Sequence, residues 1–369
     1  MKITGIRLRR LRLPLDPPFE PAWDPAPRHA FEATLVCVDT DEGLAGIGSG
    51  DTMDGFERYA DLFVGHDPLD IERHVRVLES ITFHAGRYWP LEAALWDLAG
   101  KAEGVPTAQL LGGALTEIPA YASTAGRLAA GARAESALAL REQGLRALKV
   151  RIDKEQPDAG LAAVAAVREA VGGDLEIMVD LNQGWRMPGD VAPLLGYDAV
   201  AGLAARLGEL DVFWLEEPLA GDDVDGLARL RAETGLRLAG GEMTRTPGEL
   251  AAYVDGGALD VLQPDAVLAV GILRARELAE RILPAGLWFT PHAWTNGIGL
   301  LANLHLAAGV GGGPFLELPL DPPGWTAGRR DFMLAEPVLP TTDGVLAVPD
   351  RPGLGFELDE DAVERYTVS

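Results

Sequence analysis

From about residue 117 the chain alternates short apolar runs with longer amphipathic stretches. Eight runs recur: EIPAYAST, LRALKVR, LEIMVD, DVFWLE, LRLAGGE, LDVLQPD, LWFTPH and FLELP. Their length and bounding turn residues predict buried parallel strands, whereas DAGLAAVAAVREAV and GILRARELAERIL between them repeat with helical period. The steps from Asp180 to Glu216, Glu242, Asp265, His292 and Glu317 are 36, 26, 23, 27 and 25 residues, one strand–helix unit each. Eight such units predict an α/β fold, a (β/α)8 TIM-type barrel over residues 116–325. An open doubly wound sheet is the competing architecture. No Gly-rich phosphate-binding turn follows the early strands, which counts against it.

Residues 1–115 carry a different pattern. Strand-like ITGIRLRRLRL, ATLVCV and LAGIGS precede helix-like PLEAALWDLAGKAEG, which predicts a separate N-terminal α+β capping domain. The proline-dense stretch PLDPPFEPAWDPAPRHA is expected to form a mobile lid loop. Residues 326–369 show little helical pattern and are expected to pack back on the capping domain.

Composition narrows the class. A chain of 369 residues, 47% hydrophobic and 24% charged, is globular and long enough for two domains, and it holds no run of about 18 apolar residues. The N-terminus alternates polar and apolar residues, which predicts a strand instead of a signal peptide and hence a cytoplasmic protein. Cys37 is the only cysteine, so no internal disulfide is possible. The net charge of -24 argues against nucleic acid or anionic membrane as partners. The expected partner is a small carboxylate substrate, and a homo-oligomer is the expected assembly.

The chemistry lies at the ends of the runs. Asp180, Glu216 and Glu242 close three successive ones, which would gather three carboxylates at one barrel mouth. Such crowding demands a cation, and oxygen-only ligands favour magnesium, with manganese second. Glu217 cannot share the Glu216 face in a strand, so Glu216 is the expected ligand and Glu217 is assigned to the loop before Pro218. In LKVRI, Lys149 and Arg151 share the face opposite Leu148, Val150 and Ile152, and so point into the barrel. Lys149 is read as a base or a counter-charge to a carboxylate substrate, and Arg151 as an anion clamp. Asp265 and His292, ending the sixth and seventh strands, are expected to touch and form an acid/base dyad. Glu317, from the eighth, is read as a protonated acid that can hydrogen-bond an oxyanion. Substrate contacts are sought at Asn182, at Trp23 on the proline-rich loop, at Trp185 and Trp294, and in the stretches Asp51–Asp54 and His84–Tyr88. The whole ring suits abstraction of the proton α to a carboxylate.

In their order VDLNQGW, WLEEP, GGE, QPDAVLAVGI, TPHAW and LELP, the motifs resemble the enolase superfamily, mandelate racemase subgroup, over nearly the whole chain. The resemblance implies a capping domain closing over a barrel, magnesium on Asp180, Glu216 and Glu242, a catalytic His292–Asp265 dyad and an enolate contact from Glu317. One position departs from it. Many members carry Lys-x-Lys on strand two, with the second lysine as a base, where this chain has Lys149-Val150-Arg151. Arginine is a poor base, so a two-base racemase is disfavoured. Dehydration of an acid sugar, which His292 can serve alone, becomes the first expectation. A racemase or epimerase using Lys149 is the second, and a catalytically silent binding protein the third.

Overall fold

The computed structural model describes residues 1–368. The chain opens with an antiparallel sheet of β1 (Ile3–Phe19), β2 (Arg28–Thr40) and β3 (Ala45–Gly48), in that spatial order. The β1–β2 register slips between Pro14 and Phe19, where prolines cannot donate to the ladder. Because the strands reach into the proline-rich stretch, only residues 20–27 lie between them, and the expected long lid shrinks to a short connection. Helices α1 (Ile71–Thr82), α2 (Trp89–Glu103) and α3 (Thr107–Leu110) complete this unit. Asp70 starts α1 by accepting the Arg73 backbone N–H at 3.2 Å.

The eight apolar runs then form eight parallel strands. They are β4 (Glu117–Ser123), β5 (Ala147–Arg151), β6 (Glu176–Asp180), β7 (Trp214–Glu216), β8 (Leu238–Gly240), β9 (Val261–Leu262), β10 (Trp288–Phe289) and β11 (Leu316–Pro319). Between them run α4 (Ala130–Glu142), α5 (Pro157–Val171), α6 (Tyr197–Glu209), α7 (Val224–Thr234), α8 (Pro247–Asp255), α9 (Gly271–Ile282) and α10 (Gly297–Val310). The strands pair in chain order from β4 to β10, with β11 returning to β4. Between β10 and β11 the Gly313 N–H donates to the Phe289 carbonyl at 2.9 Å.

Period-two alternation sorts the side chains. Tyr121, Ala147, Met178, Trp214, Ala239 and Val261 meet inside the barrel, while Leu148, Val150, Ile177, Val179 and Leu215 turn toward the helices. Two residues beyond the inner set, the same face carries Ser123, Lys149, Asp180 and Glu216. The packed floor therefore aims the polar residues at the C-terminal mouth.

Beyond the barrel come α11 (Ala327–Arg330), β12 (Val345–Ala347), which pairs antiparallel with the start of β4, and α12 (Glu360–Tyr366). The helix α12 was not visible in the sequence pattern. It is capped by Asp359, which accepts the Ala362 N–H at 3.0 Å, and Val368 N–H donates to the Arg10 carbonyl on β1 at 2.9 Å.

Helix α2 is buried along nearly its whole length, and Glu92 on it joins the two units. Its carboxylate accepts the N–H groups of Ile272 (3.1 Å) and Leu273 (2.7 Å) at the start of α9 and the Trp96 indole N–H (3.1 Å). Full burial outweighs these donors and pushes Glu92 up to about 7 from 4.5. A raised carboxyl favours the fold in its protonated form. Its contribution is full below about 4.5 and is lost as pH rises through about 7. Native protein is therefore expected to lose about 3 kcal/mol relative to Glu92→Gln between about pH 4 and 8, read from thermal unfolding. A native–variant difference independent of pH would rule this out.

Candidate active site

The barrel mouth brings together the residues that the sequence singled out, with register doing much of the placing. Arg151, Asp180 and Glu216 are Cα partners across β5, β6 and β7, so three inward side chains stand side by side. Glu242 arrives differently. The strand β8 ends at Gly240, and Gly241, at φ +98°, turns the chain back so that Glu242 faces the same space. Oxygens of Asp180, Glu216 and Glu242 lie within 4.8 Å of one another, all buried, and Glu242 Oε2 has no hydrogen-bond partner. Hard oxygen donors converging around an orphaned carboxylate oxygen fit a divalent cation such as magnesium.

The electrostatics point the same way. Asp180, Glu216, Glu217, Glu242, Asp265 and Glu317 are all buried here, against the permanent cations Lys149 and Arg151. Burial pushes Glu216 up to about 8, because Lys149 offsets only part of the cost and Asp180 and Glu242 add repulsion. A bound cation would remove that penalty.

Lys149 is fully buried, with its Nζ 2.5 Å from Glu216, 2.9 Å from Glu317 and 3.4 Å from Asp180. Burial opposes its charge, but the three carboxylates outweigh burial and raise its affinity for a proton. It does not line the cavity above. In place of a base or a counter-charge to the substrate, the structure makes it a counter-charge to the site's own carboxylates. The same contact corrects Glu317. Burial would favour its neutral form, yet Lys149, joined by His292 when that ring is charged, holds it below the usual carboxylate range, which runs against a protonated donor. Its Oε2 accepts the Ala293 N–H at 2.6 Å.

Arg151 is held on several sides. Its guanidinium donates to Asp180 (2.5 Å), to the Asn182 side-chain oxygen (2.7 Å) and to the Thr124 carbonyl (2.9 Å). The Trp23 ring lies over it at 4.2 Å and Trp294 at 5.9 Å. Trp294 also donates to Ser123 at 2.7 Å. Asn182 orients Asp180, donating from its backbone at 2.7 Å and its amide at 3.2 Å.

His292 and Asp265 do touch, Nδ1 to Oδ2 at 2.8 Å, although both lie three residues beyond their strands. Asp265 is held in turn by the Val267 N–H (2.7 Å) and the Asn303 amide (3.3 Å). The free Nε2 faces the cavity, 3.7 Å from Glu242 and 3.9 Å from Glu317. Burial disfavours the imidazolium, but Glu242, Glu317 and Asp265 together raise the group to about 9, and a cation held by Glu242 would offset the largest of these contributions and favour the neutral imidazole that a base requires.

Glu217 lies in the loop as expected, yet it faces the same space as Glu216. The strand β7 stops at Glu216, and Glu217 adopts φ +44°, outside the alternation that would have sent it away. It is buried and lines the cavity, and burial with neighbouring carboxylates drives its affinity for a proton well up. Gly184 leaves room for this placement, since a Cβ there would stand 2.4 Å from Glu217 Oε1 and push the carboxylate aside. Two further supports were missed. Gln263 donates to Glu216 at 3.1 Å, and Trp185, expected beside substrate, donates to Glu242 at 2.6 Å. Neither a buried amide nor a tryptophan past a strand announces its partner in the sequence.

Above the mouth lies a cavity of about 1010 Å³, walled below by Arg151, Glu242 and His292 and above by the capping unit. Of the capping stretches, Asp51, Thr52 and Arg87 reach it, whereas Met53 is buried and Tyr88 turns its hydroxyl to the Asp54 carbonyl at 2.8 Å.

Residues 132–362 match the family model for the enolase C-terminal domain-like fold, and residues 25–112 the mandelate racemase/muconate lactonizing enzyme N-terminal domain. The chain is 30% identical to a D-galactarolactone cycloisomerase of Agrobacterium fabrum, over 99% of both chains. It is 30% identical to an arabinonate dehydratase of Saccharolobus solfataricus, over 75% of this chain and 70% of that one. It is also 26% identical to an N-succinyl-L-Arg/Lys racemase of Bacillus cereus, over 100% and 98%. A solved chain from Bordetella bronchiseptica RB50, complexed with 2-oxoglutarate/phosphate, superposes with a TM-score of 0.88 at 29% identity, covering 100% of this chain and 98% of that one. A Streptomyces coelicolor A3(2) racemase with bound magnesium gives 0.83 at 26%, covering 99% and 100%. No helix among the described residues is long and apolar enough to cross a membrane. With its carboxylate triad, its histidine–aspartate dyad and both domain matches, the chain belongs to the enolase superfamily, in the mandelate racemase/muconate lactonizing enzyme group.

Proposed function

We propose that the protein is a cytoplasmic, magnesium-dependent dehydratase of acid sugars. The observation that carries this reading is the asymmetry of the cavity. His292 presents a free imidazole nitrogen to it, while on the β5 side stands Arg151, and Lys149 lies paired beneath. One acid/base group on one face suffices for elimination. His292 Nε2 removes the α-proton, the bond from the β-carbon to its hydroxyl breaks with its electron pair, and the imidazolium returns the proton to the departing oxygen as water. The enol that remains tautomerises to a 2-keto-3-deoxy acid. Asp265 holds the ring so that Nε2, and not Nδ1, faces the substrate. Asp180, Glu216 and Glu242 would hold the magnesium ion, which when bound supplies Lewis-acid stabilisation of charge on the substrate carboxylate. The dehydratases among the relatives support the elimination.

The racemase among the relatives favours a second reading, racemisation or epimerisation. That chemistry needs a base on the opposite face, where Arg151 stands. A panel of mono- and diacid sugars in deuterium oxide separates the two. A 2-keto product is expected, formed with magnesium and lost on chelation. Exchange at the α-carbon with inversion and no loss of water would sink the dehydratase.

A further inference from the structure

Three guanidinium groups of the cavity have no carboxylate within 4.0 Å, those of Arg87, Arg186 and Arg245, and two of them also lack a pair of backbone carbonyls to hold them. Arg28 is bound by Asp24 at 2.8 Å, Arg151 by Asp180 at 2.5 Å, and Arg186 donates to the carbonyls of Asp190 (3.2 Å) and Ala192 (2.7 Å). Arg87, on the capping loop before α2, and Arg245, on the loop after β8, differ. Among the described residues no carboxylate oxygen stands within 4.0 Å of either guanidinium. Arg87 makes only a long contact, 3.4 Å, from Nη1 to the carbonyl of Met243, the residue after Glu242. Its half-buried charge is disfavoured first by desolvation and next by the exposed Arg245, with Asp51, Asp265 and Glu249 compensating in that order. A half-buried guanidinium held beside a like charge, facing an open cavity, is costly unless an anion completes it. Arginine's planar fork matches a carboxylate in two hydrogen bonds.

Arg87 comes from the capping unit and Arg245 from the barrel, and both line the cavity whose floor is Glu242 and His292. A substrate whose first carboxylate lies at the carboxylate triad would extend its other end along the cavity toward these two arginines. We propose that Arg87, with Arg245, receives an anionic group at the far end of the substrate, so that the natural substrate is a diacid sugar. This deepens the dehydratase reading and rests on it for the position of the first carboxylate. Binding there would also draw the two units together, because one guanidinium comes from each.

The test separates binding from turnover. Magnesium-loaded His292→Asn protein is titrated calorimetrically with galactarate against galactonate, with glucarate against gluconate, and with gluconate 6-phosphate. The diacid of a pair is expected to bind about 10- to 100-fold more tightly than its monoacid, the size of charge-assisted hydrogen bonds to one carboxylate. Tighter binding of the phosphate ester than of either diacid supports the anion site and assigns it to a phosphoryl group instead. Adding Arg87→Met should collapse the discrimination to within about threefold, and Arg245→Met should reduce it partially, which keeps the test alive should one variant misfold. The proposal is overturned if monoacid and diacid bind equally, if no diacid binds, or if Arg87→Met weakens both members of a pair by the same factor. Native enzyme that keeps the diacid preference in binding yet forms no 2-keto product would sink the dehydratase reading alone.

Discussion

His292→Asn is expected to lower kcat for 2-keto acid formation by about 10³- to 10⁴-fold, with circular dichroism and magnesium affinity close to native. One imidazole takes the α-proton and returns it to the leaving hydroxyl, so its loss removes both halves of a general acid/base term worth about 10²–10⁴. Asparagine fills much of the ring's volume and can keep a hydrogen bond to Asp265, now 2.8 Å from Nδ1. Three arms of the site, the carboxylate triad, Lys149 and Arg151, are left in place. Single-turnover kinetics with the best diacid of the panel gives the measurement. A variant that still eliminates water at the native rate would show that another group moves the proton. Retained α-exchange without elimination would assign His292 to the second step only.

Lys149→Met carries the largest expected cost in stability. The side chain neutralises Glu216 and Glu317 from a position with no solvent exposure. Removing one partner of a buried ion pair costs about 3–5 kcal/mol, because the other charge is left uncompensated. Metal-free Lys149→Met is therefore expected to unfold several degrees below native, and to take up protons on folding as the carboxyls neutralise. Turnover should fall as well, since Glu317 faces His292 and its ionisation depends on Lys149. The same variant discriminates the alternative chemistry. If Lys149 were a base for racemisation, its loss would in addition abolish α-exchange on one face. A native midpoint for Lys149→Met in the absence of metal would overturn the counter-charge assignment.

Much of the fold was legible because the barrel repeats one physical rule. A strand buried on both faces must be apolar, and a helix covering it must be amphipathic, so eight repetitions leave eight visible runs. Chemistry was legible where a charged residue interrupted the end of such a run, as at Asp180, Glu216 and Glu317. The failures share a cause. Glu217 was assigned to the loop, where it lies, but strand alternation hid that a backbone at φ +44° brings it to the cavity. Glu317 was given a proton because the lysine across the barrel, 168 positions earlier in the chain, could not be known to lie 2.9 Å away. Gln263 and Trp185 read as packing, since only the fold reveals that each donates to a ligand carboxylate. The length of the supposed lid was misjudged because prolines were taken to end β1, whereas they only shift its register.

By itself the sequence determined the architecture, the carboxylate triad and the dyad, because strand periodicity carries side-chain direction and strand order carries proximity. Only the tertiary structure decided protonation and free charge. Those depend on distances between residues remote in the chain: Lys149 beneath Glu216 and Glu317, and Arg87 beside Arg245 with no carboxylate in reach. Coulomb energy varies with separation in space, and a sequence records only separation along the chain.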